Sequence, residues 1–143
     1  MAEPVRIECV YPVTVGELWE AVTLPERMRL WYFEQMEDFR AEVGFSTRFE
    51  VSCEGRTFPH LWEVTEVIPR ERLAYRWRCE GFAGDSTVTW ELSEAKGGAR
   101  LRFRHAVQEP FPANDPLFSR ESCEAGWRHL LLLNPKERLG KGA

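Results

Sequence analysis

The chain has 143 residues, a formal net charge of −4 and 43% hydrophobic residues. This length is enough for one self-sufficient core, and we expect a single domain over residues 1–143 with a short tail from about 135. No basic run or basic helix face appears, which argues against nucleic-acid binding. No apolar run approaches the roughly 20 residues of a membrane span. The first residues resemble no secretory signal, so we expect a cytoplasmic protein.

The four cysteines are too scattered to form a recognisable metal or redox motif. None belongs to a Cys-x-x-Cys pair, and no close set of ligands for zinc stands out. In a cytoplasmic protein they are expected to be reduced and to act as small core residues. The sequence therefore predicts neither a metal site nor a cofactor. These residues are Cys9, Cys53, Cys79 and Cys123.

The chain begins with a predicted strand followed by two short helices. Residues 5–11 alternate between apolar and polar side chains, which is typical of a half-buried strand. Thr14 to Glu17 read as a capping box that starts a helix. Thr23 to Glu26 repeat that pattern with a proline in the first turn, which predicts a second helix ending near Trp31.

The middle of the chain is predicted to be all strand. Alternating stretches begin near Phe45, Phe58, Leu73, Val88 and Leu101, and glycine-containing turns separate most of them. One face of each stretch is apolar and aromatic, and the other is rich in Arg, Glu, Ser and Thr. An antiparallel sheet that is covered on one face and wet on the other gives this pattern.

Two details of the predicted strands stay open at this stage. The alternation becomes irregular near Val67 and Ile68, where a β-bulge is expected. As a result, either Glu63 or Glu66 is able to face the interior. Pro59, which precedes His60, suggests an edge or entry position for that strand.

A C-terminal helix is the predicted cover of the sheet. It is expected to begin after Asp115-Pro116, a favourable cap and first-turn pair. Cys123, Trp127, Leu130 and Leu131 recur at helical spacing on one face, and Gly126 would permit a close approach to a neighbour. Asn134-Pro135 is expected to end or kink this helix near Leu133.

These motifs resemble, in order and spacing, the START-like helix-grip superfamily known as SRPBCC. Within it they look most like the branch of the activator of heat-shock protein 90 ATPase. The resemblance covers essentially residues 4 to 134 and implies an α+β fold, in which a curved antiparallel sheet of about six strands surrounds a long C-terminal helix. The segments that carry it are Pro12…Leu18-Trp19-Glu20-Ala21…Pro25-Glu26…Trp31, Trp62 through Leu73 with Trp77, Val88-Thr89-Trp90-Glu91-Leu92, Gly97-Gly98…Leu101 and Gly126-Trp127…Leu130-Leu131.

The resemblance also implies a pocket between the long helix and the concave sheet. Apolar walls with few polar groups are typical of small-molecule sites, although the same rings are able to fill a solid core. His105 and Tyr75 are weak catalytic candidates, and His105 is more readily interpreted as structural. Residues 31–43 are a candidate lid with Phe39 among its gating groups, or an ordinary connection that packs on the core. The predicted cavity residues are Trp31, Phe49, His60, Trp62, Tyr75, Trp77, Trp90, Phe103, His105 and Trp127.

Three functions remain open from the sequence. The first is the binding of a hydrophobic, lipid-like or aromatic small molecule without catalysis. The second is a cyclase, isomerase or hydrolase that uses a cavity histidine or tyrosine. The third is a module that contacts a chaperone ATPase, as the resemblance suggests. An exposed edge strand would also allow a homodimer.

Overall fold

The structure is a computed structural model that describes residues 4–31, 38–53, 55–82, 84–109, 120–128 and 131. Two short helices follow the first strand, five strands come next, and a helix follows them, which is the predicted order. The elements are β1 (Val5–Tyr11), α1 (Val15–Thr23), α2 (Pro25–Trp31), β2 (Ser46–Cys53), β3 (Arg56–Ile68), β4 (Arg72–Cys79), β5 (Asp85–Ala95), β6 (Gly98–Glu109) and α3 (Arg120–Arg128).

The described strands form one antiparallel sheet in the order β1-β6-β5-β4-β3-β2. Strands β2 to β6 are joined as successive hairpins, whereas β1 lies beside the last strand, so that Val5 is opposite His105. The edges of the sheet are therefore β1 and β2. This arrangement confirms the predicted α+β class and the six-stranded sheet.

The first capping box is confirmed and the second is not. The Thr14 hydroxyl accepts from the Glu17 amide at 3.0 Å, and the Glu17 carboxylate accepts from the Thr14 amide at 3.0 Å. Thr23 instead ends α1, and its hydroxyl donates to the Trp19 carbonyl at 2.6 Å. The Leu24 carbonyl accepts the first amides of α2, so Leu24 occupies the cap position. A threonine hydroxyl within a helix can bond to the preceding turn, and this contact overrides the sequence pattern.

The β-bulge lies earlier in β3 than the sequence indicates. The register between β3 and β4 shifts between Val64 and Glu66. With this shift Glu63 and Glu66 both lie on the outer face, where they pair with Arg76 at 3.5 Å and Arg72 at 2.9 Å, respectively. Neither carboxylate lines the interior, which answers the question left open by the alternation.

Strand β3 also differs from the expected edge position. It lies between β2 and β4. Pro59 is opposite Glu50 of β2, and its carbonyl accepts from the Glu80 amide at 2.9 Å. Proline lacks only the donor of the ladder, so its carbonyl still bonds to the chain that leaves β4.

The hairpin between β5 and β6 packs tightly against the end of β1. Gly98 has a φ of 151°, and a Cβ atom there would lie 1.8 Å from the Tyr11 carbonyl oxygen. Only glycine allows this approach of two backbones. Gly126 in α3 differs from expectation, since it is exposed and no described atom lies within 4 Å of a Cβ built on it.

Helix α3 and the buried Leu131 cover the concave face of the sheet. Trp127 is buried against the sheet, and the Tyr11 hydroxyl donates to the Leu131 carbonyl at 2.5 Å. Burial raises the pKa of Tyr11 far above its usual value, so the hydroxyl remains a donor. The expected helix start at Asp115-Pro116 and the expected break at Asn134-Pro135 lie outside the described residues.

The cysteines that the structure describes are free thiols. Cys79 is buried and Cys9 is half-buried. The side chains of Cys53 and Cys123 lie outside the described part of the chain. Burial raises the pKa of Cys79 to about 11, so this thiol is protonated at neutral pH.

Candidate functional site

The strand alternation places one large aromatic surface on the concave face of the sheet. Trp62 of β3 is directly opposite Trp77 of β4, and Trp90 of β5 is opposite Phe103 of β6. Between them runs a row of Tyr75, Val88 and His105 across the centre of the sheet. Residues opposite one another on the same face lie within contact distance, so these rows form a continuous surface.

The rings of this surface contact one another and α3. Trp62 stacks on Tyr75 with ring centroids 4.4 Å apart. Trp127 of α3 lies 4.3 Å from Phe103 and meets Trp77 edge-on at 5.3 Å. Tilted and edge-on contacts at these distances are favourable geometries for aromatic pairs. Among the described side chains of α3, Trp127 contacts rings of three strands, namely Trp77 of β4, Trp90 of β5 and Phe103 of β6.

All but one of the predicted cavity residues are brought together here. The exception is Trp31, which ends α2 and whose side chain lies outside the described residues. The others lie on the concave face of the sheet or, in the case of Trp127, on α3 against that face, and they are buried or half-buried. They are Phe49, His60, Trp62, Tyr75, Trp77, Trp90, Phe103, His105 and Trp127.

Three tryptophans each donate their indole N–H to a polar group on this face. Trp77 Nε1 donates to His60 Nδ1 at 2.7 Å. Trp127 Nε1 donates to His105 Nδ1 at 3.1 Å. Trp90 Nε1 donates to the Tyr75 hydroxyl oxygen at 3.1 Å. We call His60, Tyr75 and His105 the three indole acceptors.

The two histidines of this group are uncharged at neutral pH. Burial lowers the pKa of His60 and of His105 to about 4 in each case. Since a charged imidazole has protons on both nitrogens, it would have no lone pair to accept an indole N–H. The hydrogen bonds accepted at Nδ1 and the lowered pKa values therefore both indicate neutral imidazoles.

The weak catalytic candidates, His105 and Tyr75, are buried and engaged by tryptophans. The lone pair on His105 Nδ1 already accepts a hydrogen bond, and a general base needs a lone pair within reach of the substrate proton. Tyr75 is fully buried, with Trp62 stacked on its ring and Phe39 meeting it edge-on. This arrangement suits packing and polar recognition better than proton abstraction.

Phe39, which the sequence placed in a candidate lid, is part of the buried surface. It is 3% exposed and contacts Phe45, Trp62 and Tyr75 edge-on at about 6 Å. Its segment lacks any periodic pattern, so the sequence leaves a lid and a connection packed on the core as alternatives, and the burial of Phe39 agrees with the second. The lid residues from 32 to 37 lie outside the described part of the chain.

Two open grooves lined by described residues lie elsewhere on the molecule. One of about 660 Å³ and another of about 450 Å³ flank the start of α1 and share Thr14, Val15 and Glu94 in their walls. Both are shallow and mostly polar, and neither borders the aromatic face. We regard the aromatic face as the candidate site, because hydrophobic ligands bind to apolar walls with a few convergent polar groups.

Nowhere in residues 4–31, 38–53, 55–82, 84–109 and 120–128 do three His, Cys, Asp or Glu side chains gather closely enough to hold a metal ion. The helices of these same stretches are too short and too polar to cross a membrane.

A curved antiparallel sheet whose aromatic concave face is covered by a C-terminal helix defines a START-like helix-grip protein. The chain belongs to the family described as "Activator of Hsp90 ATPase homolog 1-like protein", which matches residues 12–133. The resemblance seen in the sequence is thereby confirmed. A comparison with curated proteins found no match.

Solved structures share this fold over nearly the whole chain. Protein CV1439 from Chromobacterium violaceum superposes with a TM-score of 0.79 at 21% identity, over 98% of this chain and 99% of its own. PFC0360w, an HSP90 activator from Plasmodium falciparum, superposes with a TM-score of 0.72 at 21% identity, over 97% of each chain. DynU16, from the dynemicin biosynthetic locus, superposes with a TM-score of 0.76 at 26% identity. The match covers 99% of this chain but only 49% of DynU16, so this chain spans about half the length of that protein.

Proposed function

We propose that this protein binds a hydrophobic, lipid-like or aromatic small molecule between the concave face of the sheet and α3, without changing it chemically. The observation that carries the proposal is the composition of that face. It joins large apolar rings to a few polar groups, and its two described histidines are uncharged. Surfaces of this kind suit ligands that are mostly apolar and carry a few polar atoms.

Binding at this site would require the rings to separate. Trp127 contacts Trp77, Trp90 and Phe103, so a ligand beneath α3 would replace contacts that already exist. Its net affinity would then be the difference between the ligand–ring contacts and the ring–ring contacts that are lost. A flat aromatic or a long alkyl chain is best suited to such an exchange, because it is able to restore apolar contact on both faces.

A screen of hydrophobic compounds tests this proposal. Fatty acids, flavonoids and steroids are added to the protein, and binding is followed by native mass spectrometry and thermal denaturation. A ligand present at 100 times its Kd adds about 2.7 kcal/mol to the free energy of unfolding, which raises Tm by about 10 °C in a domain of this size. If no member of the panel forms a complex or raises Tm, the proposal is wrong.

Two helical tryptophans supply a matched pair of variants for the same screen. Trp127→Leu removes the ring that joins α3 to the aromatic face. Trp19→Leu removes a half-buried ring of α1 that packs against the core from another element. We expect the first variant to lose at least about tenfold in ligand affinity, equivalent to about 1.4 kcal/mol. The second should keep its affinity although it also lowers Tm.

A second candidate function is contact with a chaperone ATPase. It is supported by the family description and by the Plasmodium falciparum relative, which is described as an HSP90 activator. A saturable complex with an Hsp90-type ATPase, together with no response to the hydrophobic panel, would favour this candidate over ligand binding. The enzyme alternative has less support, since both described histidines already accept a hydrogen bond at Nδ1.

A further inference from the structure

The three indole acceptors share one chemical property, which is that each accepts a hydrogen bond from a tryptophan N–H. Ring packing alone does not require this property. An indole N–H is a donor and never an acceptor. Each group that faces one in this structure must therefore contribute a lone pair. The distances of 2.7, 3.1 and 3.1 Å are those of ordinary hydrogen bonds.

Acceptance at one nitrogen determines the tautomer of a neutral imidazole. A neutral histidine has one N–H and one lone pair. Because Nδ1 of His60 and of His105 accepts from a tryptophan, the proton of each ring is on Nε2. The Tyr75 oxygen likewise accepts from Trp90, which leaves the phenolic hydrogen as the donor of that group.

The surroundings of the two histidines keep this arrangement uncharged. His105 is opposite Val5 of β1 and Val88 of β5. His60 is opposite Phe49 of β2 and Cys79 of β4, and the Cys79 thiol is protonated at neutral pH because burial raises its pKa to about 11. From α3, His105 is met by Trp127. None of these partners offers a negative charge that would favour an imidazolium.

The two histidines are linked through the tryptophans into one cluster. Trp77 lies 5.3 Å from His60 and 6.1 Å from His105, measured between ring centroids. Trp127 lies 5.3 Å from Trp77 and 5.8 Å from His105. A flat molecule on this cluster would therefore be close to both imidazoles at once.

We propose that Trp77 and Trp127 are positioning residues that hold the two histidines as Nε2–H donors, so that the site selects ligands with acceptor oxygens. Trp90 acts in the same way on Tyr75. Ketones, esters and ethers complement such donors, whereas ammonium groups, which are only donors, do not. This proposal rests on the proposed ligand-binding function and names the chemical class of ligand that the site prefers.

The tautomers are measured on the ligand-free protein. Long-range ¹H–¹⁵N correlation spectra of ¹⁵N-histidine-labelled protein at about pH 7 distinguish the two neutral tautomers from the imidazolium. We expect His60 and His105 to show a bare Nδ1 and a protonated Nε2. Trp77→Phe should shift His60, and Trp127→Phe should shift His105, toward a mixture of tautomers. The matched control Trp19→Phe, which is in α1, should leave both spectra unchanged.

The ligand preference is measured with two probes that differ by one oxygen. 9-Fluorenone and fluorene have the same flat ring system, and only the first has a carbonyl acceptor. Because one hydrogen bond to this oxygen would stabilise the complex, we expect fluorenone to bind at least about fivefold more tightly than fluorene. The double variant Trp77→Phe with Trp127→Phe should reduce that ratio toward one, while Trp19→Phe should preserve it.

Each outcome separates this proposal from the one on which it rests. A protonated Nδ1 or an imidazolium in the wild-type protein overturns the tautomer assignment, whether or not any probe binds. Equal binding of fluorenone and fluorene overturns the acceptor preference but leaves hydrophobic binding standing. If neither probe binds and the hydrophobic panel is also negative, both the proposed function and the acceptor preference are wrong. The tautomer assignment is still tested in that case, because it is measured on the ligand-free protein.

Discussion

His60 and His105 are held uncharged inside a surface of tryptophan and phenylalanine rings. Burial disfavours the imidazolium, and it lowers the pKa of both side chains to about 4. In the unfolded chain an imidazole titrates near its ordinary value of about 6.5. The two histidines therefore couple the stability of the fold to pH.

Stability should fall on acidification between about pH 6.5 and pH 4. In that window the unfolded chain binds protons at these positions and the folded chain does not, so the free energy of unfolding decreases as pH decreases. At about pH 4, the lowered pKa of His105 reduces the free energy of unfolding by about 3 kcal/mol relative to neutral pH. Below the folded pKa both states are protonated and this contribution stops changing. Urea denaturation at several pH values measures the effect.

The variant His105→Gln isolates this contribution from that of the carboxylates, which titrate in the same range. A glutamine amide is polar and uncharged like the neutral imidazole but has no proton to gain in this pH range. Its free energy of unfolding should therefore depend less steeply on pH than that of the wild-type protein. Identical slopes for the two proteins would show that His105 is not held neutral in the fold.

At the residue scale the sequence predicted which rings share a face but not how they bond. Period-two alternation assigns Trp62, Trp77, Trp90 and Phe103 to the interior, and the structure agrees. The pairing of Trp77 with His60 depends on strand register. His60 is opposite Cys79, so Trp77 is its diagonal neighbour on the same face, and no local pattern sets that register. Phe39 lies in a segment without periodicity, and for this reason the sequence leaves open whether it belongs to a lid or packs on the core.

At the scale of elements, turns and caps are the places where a few residues decide the geometry. The β5–β6 hairpin passes so close to β1 that only a hydrogen atom fits at position 98. The sequence pattern predicted the hairpin from Gly97-Gly98, but it contained no sign of the contact with Tyr11. That contact joins elements far apart in the chain, as does the bulge between Val64 and Glu66.

The substitution Gly98→Ala should destabilise the protein by at least about 2 kcal/mol, because the new Cβ overlaps the Tyr11 carbonyl and the strands must separate. Gly126→Ala is the matched control. It lies on an exposed helical position with no described atom nearby, and it should stabilise α3 by up to about 1 kcal/mol. Urea denaturation compares both with the wild type. A Gly98→Ala protein as stable as the wild type would contradict the observed backbone contact.

At the scale of the whole molecule, the fold is closed by contacts between its two ends. Strand β1 pairs with β6, and the Tyr11 hydroxyl bonds to the Leu131 carbonyl across 120 residues of sequence. The architecture was predictable because alternation, a capping box and turn glycines all indicated one sheet and one covering helix. The strand order was not predicted, since alternation does not specify partners.

Tyr11→Phe tests how strongly this bond holds α3 on the sheet. Removing the hydroxyl leaves the buried Leu131 carbonyl without this donor and should cost about 1 to 2 kcal/mol. Hydrogen exchange measured by mass spectrometry should show the loss mainly in Arg120–Arg128, while the amides of β4 and β5 serve as the internal control. A uniform loss of protection across all elements would contradict a local role for this bond.

The pairing of the first strand with the last has a consequence for synthesis. Val5 meets its partner His105 only after 100 further residues have been added, which takes about 5 to 20 s at usual rates of translation. Hairpins from β2 to β6 are able to form as they leave the ribosome, but β1 has no strand to join until β6 emerges. Its apolar residues remain exposed during that interval, together with the aromatic face that awaits α3. The nascent chain is therefore most vulnerable to aggregation just before α3 is made, and chaperone protection would matter most at that moment.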